Sequence, residues 1–299
     1  MQKVTHSEYI AQKKPLAKQL LAKLNEKYQY ASVLITDNYE KGYRASRSGV
    51  AISATNAFGG KGMIVKVYDG KGYAEYSTNE ITAENLPEIE REIEQQLMNP
   101  ANFIPEGTEE AEYKCISDEP CTLCEATNYE IHPREVGDEK LIETVTALRE
   151  KAVKADERIL DAITGFNYQE YHKLFLSANR ELEQSVLYST GIMALVAAKG
   201  EEIKQSFRGF SNLGGAELLD KMESAIPQCV KTVTDLLNAE PMEPGTYECI
   251  CTPEVTGMIV HEAFGHGVEM DMFVKDRALA QSYICLLYTS DAADEEDSV

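Results

Sequence analysis

Between Tyr30 and Ser77 the apolar residues come in short β-prone runs, ASVLIT, GVAIS, GMIVKVYD and GYAEYS, broken by glycine-containing turns such as Asp69-Gly70. Runs this short, joined by turns this close, return most simply as neighbours, so the stretch is predicted to be an antiparallel meander. Helical stripes to cover one face of it lie on either side. Upstream, Leu16, Leu20 and Leu24 recur at four-residue spacing beside Leu21, with lysines on the far side and Pro15 suited to the first turn. Downstream, Leu86, Ile89, Ile93 and Leu97 form a second stripe with glutamates opposite.

The same order then returns. Leu141, Val145, Leu148 and Ala152 mark a helix, β-like runs extend from His172 to Phe210, and after Gly214-Gly215 a helix runs to about Asn238, kinked or re-capped at Pro227. The expected fold is α+β: two helix-flanked antiparallel β-sheet units followed by the start of a C-terminal domain. Residue identity between the two stretches is slight, so duplication and convergence on a common architecture both account for it. The expected boundaries are 1–100 for the first unit, 101–138 for an irregular cysteine-containing connection, 139–240 for the second unit, 241–284 for the start of the C-terminal domain and 285–299 for a tail. Pro241 and Pro244-Gly245 punctuate the chain before TYECICT, whose β-branched and cysteine content suits a buried strand.

Charge narrows the function. A formal net charge of −21 repels a phosphate backbone, so direct nucleic-acid binding is not expected. No run of about 18 apolar residues suggests a membrane span, and Met1 to Ser7 lacks the apolar core of a secretory signal, so a cytoplasmic location is expected. Seven cysteines, an odd number, then point to reduced thiols. Cys115, Cys121 and Cys124 fall close together, and the CxxC pair Cys121/Cys124 has the spacing of a redox or metal-binding module, although no second CxxC accompanies it.

The densest chemistry lies in VTGMIVHEAFGHGVEMD, where Glu262 follows His261 and His266 stands five residues beyond it. Neutral imidazole is a favoured ligand for Zn²⁺, and a carboxylate beside such a ligand can act as a general base on water activated by the metal. The spacing is awkward. In a regular helix, residues five apart point about 140° away from each other. A π-bulge would bring the two imidazoles towards one side, and Gly265 and Gly267 lower the cost of irregular backbone. His6, His132 and His172 have no comparable company and read as structural or exposed.

HEAFGHGVEMD resembles the HExxxH signature of the TldD/PmbA family of metallopeptidases, in its motif-bearing TldD-like branch. GMIVKVYDGKGYAEYSTNEI resembles the family's early strand-rich segment, and Phe207–Gly215 the stretch before its central helix, so the likeness extends to about Ile284. The resemblance implies a zinc-dependent peptidase acting on unfolded or flexible peptides inside a closed dimer. His261 and His266 would be metal ligands and Glu262 the general base. The partner would be a second copy or a motif-less paralogue.

The chain departs from the pattern in one respect: the family's third zinc ligand is a cysteine in a downstream C-terminal domain, and none of Cys249, Cys251 and Cys285 stands at the matching place. Glu269, three residues after His266, is another conceivable local ligand. The ending, CLLYTSDAADEEDSV, leaves the family pattern and reads as a translated adapter sequence or an acidic tail; a C-terminally truncated, inactive fragment is therefore expected. Two other functions are open: a non-catalytic peptide-binding or partner subunit, which has no need of the HExxxH trio, and the thiol module.

Overall fold

The computed structural model describes residues 1–54, 60–98, 115–269, 271–272 and 277–278. They divide into two units, Met1–Ala239 and Glu240–Val299. In chain order the first contains β1 (Gln2–Lys3), α1 (Glu8–Lys27), β2 (Tyr30–Ser46), β3 (Gly49–Ala54), β4 (Lys61–Tyr68), β5 (Tyr73–Thr78), α2 (Leu86–Met98), β6 (Cys121–Ala126) and β7 (Asn128–Tyr129). It continues with α3 (Pro133–Val136), α4 (Asp138–Lys154), β8 (Ile159–Ser177), β9 (Arg180–Lys199), β10 (Glu202–Asn212), α5 (Leu218–Ser224) and α6 (Ile226–Leu236).

The two meanders do not carry separate sheets. They merge into one eight-stranded sheet of order β10-β9-β8-β2-β4-β5, with β3 also on β2 and β6 also on β9. The junction is the antiparallel pairing of β2 with β8, from Ser32 opposite Ser177 to Ala45 opposite Thr164. Each meander on its own would leave its first strand with a bare hydrogen-bonding edge, and pairing the two first strands covers both. The two expected helix-flanked units are thus joined edge to edge in this one sheet.

Alternation along the paired strands puts Val33, Ile35 and Tyr43 of β2 beside Leu176, Leu174 and Phe166 of β8 on one face, and all six are buried. The helices lie on this face, over two apolar clusters. α1 and α2 contribute Leu20, Leu24, Ile89 and Ile93 to one, with Val33, Val65 and Leu174; α4, α5 and α6 contribute Leu141, Val145, Met222 and Val233 to the other, with Tyr43, Phe166 and Met193. The lysines of α1 meet the glutamates of α2 across the surface, Lys23 with Glu90 and Lys27 with Glu94, each at 2.8 Å.

Two local expectations change, and a third, at Pro227, is narrowed to one of its alternatives. α1 begins at Glu8, where the Ser7 hydroxyl accepts from the Ile10 N–H, so Pro15 lies inside the helix. It and Ala11, whose carbonyl it leaves without its helical donor, are both exposed, so water can satisfy that carbonyl. The connection 101–138 includes β6, β7 and α3; β6 is exposed along both faces and so shows no apolar alternation, while residues 99–114 lie outside the described residues. At Pro227 the second of the two expected possibilities holds, a new cap and not a kink: the proline lies in the first turn of α6, which starts at Ile226 after a one-residue break from α5.

The second unit contains α7 (Pro253–Val260), preceded by the segment TYECICT, which is not a strand. Ile250 there is 99% exposed. A strand needs a partner edge, and no strand is present among the described residues of this unit. The expected tail, 285–299, lies outside the described residues.

Candidate metal centre

Pro253 sits in the first turn of α7, where its missing N–H costs nothing, and the helix continues regularly to Val260. Over His261–Gly265 the backbone widens into a π turn, in which the His266 N–H reaches the His261 carbonyl five residues back, and a 3-10 turn over His266–Val268 follows. The extra residue in the turn absorbs the five-residue spacing. The two rings, which a regular helix would splay apart, lie edge to face with centroids 4.5 Å apart.

Glu262 joins them. One ligand atom from each of His261, Glu262 and His266 lies within 4.8 Å of the other two, and all three residues are exposed. The Glu262 Oε2 to His266 Nε2 distance is 3.7 Å. The other nitrogen of His266, Nδ1, lies 2.8 Å from Glu269 Oε1. An ionised carboxylate only accepts, so Nδ1 carries the hydrogen and the lone pair of Nε2 points towards the trio. Glu269 therefore orients His266 and is not itself in the cluster.

The glycines contribute less than their placement suggested. Gly265 has ordinary helical angles, φ −56° and ψ −50°, and a Cβ there would meet the Val260 carbonyl oxygen at 3.8 Å and His261 Nδ1 at 3.9 Å, which are normal contacts. Of the cysteines, Cys249 and Cys251 are exposed and outside the trio, and Cys285 lies outside the described residues.

The remaining histidines are not solitary. His172 of β8 and Ser185 of β9 are buried with their Nδ1 and Oγ atoms 2.9 Å apart, and Ser185 Oγ is also 2.9 Å from His6 Nδ1. Buried Glu170 faces His172 Nε2 at 3.7 Å, His132 Nε2 at 3.8 Å and Arg134 Nε at 2.7 Å, the last an ion pair without hydrogen-bond alignment. The signal was present in the sequence: Glu170 and His172 occupy the core-facing positions of β8, between Tyr168 and Leu174, where the alternation calls for apolar residues.

No family profile matches the chain. It is similar to a metalloprotease of Archaeoglobus fulgidus, 32% identical over 95 residues, which is 32% of this chain and 22% of that protein. A metalloprotease of Methanocaldococcus jannaschii is 20% identical over 261 residues, 86% of this chain and 55% of that one. The chain thus spans about half the length of that relative. Among solved structures, a candidate modulator of DNA gyrase from Bacteroides thetaiotaomicron aligns with TM-score 0.62 and 16% identity over 85% of this chain and 56% of that one. TldE from Thermococcus kodakarensis aligns with TM-score 0.52 and 13% identity over 73% and 47%. The likeness establishes a shared α+β fold of antiparallel sheet flanked by helices. Among the described residues no helix is long and apolar enough to cross a membrane.

Proposed function

We propose that this chain carries the metal-binding helix of a zinc-dependent peptidase that hydrolyses unfolded or flexible peptides. The single observation supporting this most is the convergence of His261, Glu262 and His266 within 4.8 Å across the π turn. The donor chemistry fits the metal: two imidazoles, one of them fixed by a carboxylate on its far nitrogen, as in many zinc sites. The similarity to archaeal metalloproteases and the resemblance of HEAFGHGVEMD to the TldD/PmbA signature support the same reading.

His261 and His266 would hold the ion, which when bound supplies Lewis-acid polarisation of the scissile carbonyl and of water. Glu262, adjacent to one ligand and 3.7 Å from the other, takes the proton of the attacking water and returns it to the leaving amine. A third protein ligand is needed for a catalytic zinc site, and the resemblance assigns it to a cysteine of a downstream domain. The same resemblance supports a dimer, with a second copy or a motif-less paralogue as partner. A non-catalytic partner subunit is the second reading. The trio counts against it, since a purely structural subunit needs no base beside two ligands.

The test is Glu262→Gln in the full-length gene product. Metal content by elemental analysis should stay near one zinc per motif-bearing subunit while peptide cleavage falls by at least about a hundredfold. Cleavage at the unsubstituted rate would remove Glu262 from its role.

A further inference from the structure

The CxxC pair does not work as a pair. Cys121 and Cys124 both lie on β6, three residues apart, so their side chains leave opposite faces of the strand. About 10 Å of extended chain separates their Cα atoms, beyond the reach of a disulfide.

Cys124 has a different companion. Its Sγ lies 3.4 Å from Nε2 of His6, 118 residues away in sequence. The approach is built into the fold: β1 pairs with β7, and the Val4 N–H donates to the Thr127 carbonyl at 3.0 Å, which holds the N-terminal segment against the end of β6. Cys124 is exposed, while the groups behind His6 are not. Ser185 is 1% exposed and His172 8%.

One pattern of donation satisfies the whole chain of groups. His172 turns an Nε2–H towards the Glu170 carboxylate, 3.7 Å away, which leaves its Nδ1 to accept from the Ser185 hydroxyl. Ser185 Oγ then accepts from His6 Nδ1–H, which also faces Glu183 Oε1 at 3.6 Å. The remaining nitrogen of His6, Nε2, carries no hydrogen and faces the thiol. A nucleophile within reach of a base, itself oriented by a third group, is the arrangement of an activated side chain.

We propose that Cys124 is a reactive thiol, with His6 as its base, and a modification site for low-molecular-weight disulfides. Sulfur attacks one sulfur of the reagent as the S–H proton passes to His6 Nε2. The reagent's S–S bond breaks, its other half leaves as a thiolate, and a mixed disulfide forms at Cys124. The imidazolium so produced faces Glu183.

Cys121, on the same strand and also exposed, is the internal control. The native protein is treated with a limiting amount of 5,5′-dithiobis(2-nitrobenzoate), and labelling of each cysteine is followed by tandem mass spectrometry. Cys124 should react about tenfold faster than Cys121, the kind of selectivity a base-paired thiol shows. His6→Gln should bring Cys124 to the rate of Cys121 and leave Cys121, Cys249 and Cys251 unchanged. Ser185→Ala, which keeps the imidazole and frees its tautomer, should give an intermediate rate. Equal rates for Cys124 and Cys121 in the unsubstituted protein would overturn the proposal without recourse to any variant, as would an undiminished lead for Cys124 in folded His6→Gln.

Discussion

His261 and His266 stand five residues apart, yet their rings touch edge to face at 4.5 Å between centroids, because the chain between them takes a π turn. The rings are close for a backbone reason. Their orientation has a separate, side-chain reason in Glu269, which fixes the hydrogen of His266 on Nδ1.

Glu269 should therefore matter to metal affinity without touching the metal. Glu269→Ala frees the His266 ring to rotate and to exchange tautomers, and loss of such an outer carboxylate costs about ten- to a hundredfold in affinity. Competition with a chromogenic zinc chelator, using the full-length gene product, would measure it. An unchanged affinity would mean that the contact is incidental to the site.

A second prediction concerns Gly215, in the Gly214-Gly215 step before α5. A Cβ at Gly215 would lie 2.0 Å from the backbone carbonyl oxygen of Ile131, which also accepts from the Ala216 N–H at 2.8 Å. Backbone cannot rotate away as a side chain can, so Gly215→Ala must displace the segment after β7 or the start of α5. Denaturant unfolding should show a loss of about 1–3 kcal/mol, the usual cost of overpacking. Gly265→Ala is the contrasting control, because its Cβ would make ordinary contacts only.

How far these features were legible depends on how far apart their causes lie in the chain. The apolar stripes of α1, α2 and α4 are local, and Leu20, Leu24, Ile89, Ile93, Leu141 and Val145 are all buried where the spacing put them. The pairing of β2 with β8 depends on two bare edges more than a hundred residues apart, which no window of sequence contains. TYECICT misled for the opposite reason: its residues suit a strand, but a strand is a property of two segments. At the candidate centre the five-residue spacing was itself informative, since it is incompatible with convergence on a regular helix. His6 and Cys124 carried no such mark, because only the pairing of β1 with β7 brings them together.

The last prediction follows from Glu170, a carboxylate buried on the core-facing side of β8. Burial alone pushes its pKa up, but His172, 3.7 Å away, and the charges of Arg134 and His132 outweigh burial and hold it below the usual glutamate value. A carboxylate whose folded-state pKa is depressed binds its proton more readily in the unfolded chain. Its contribution to stability is thus fully present above the unfolded value of 4.5 and is lost as pH falls through that value towards the lower folded one. Glu170→Gln keeps the shape and removes the charge, leaving Arg134 and the imidazoles facing a neutral amide. At pH 7 it should cost about 1–3 kcal/mol in urea unfolding, the range for hydrogen bonds to charged groups and for buried partners left unmatched. Below about pH 5 the gap between the two proteins should shrink, because the unfolded chain then takes up a proton that the native carboxylate does not. A gap that stayed constant from pH 7 to pH 4 would show that packing of the side chain, and not its ionisation, is what Glu170 contributes.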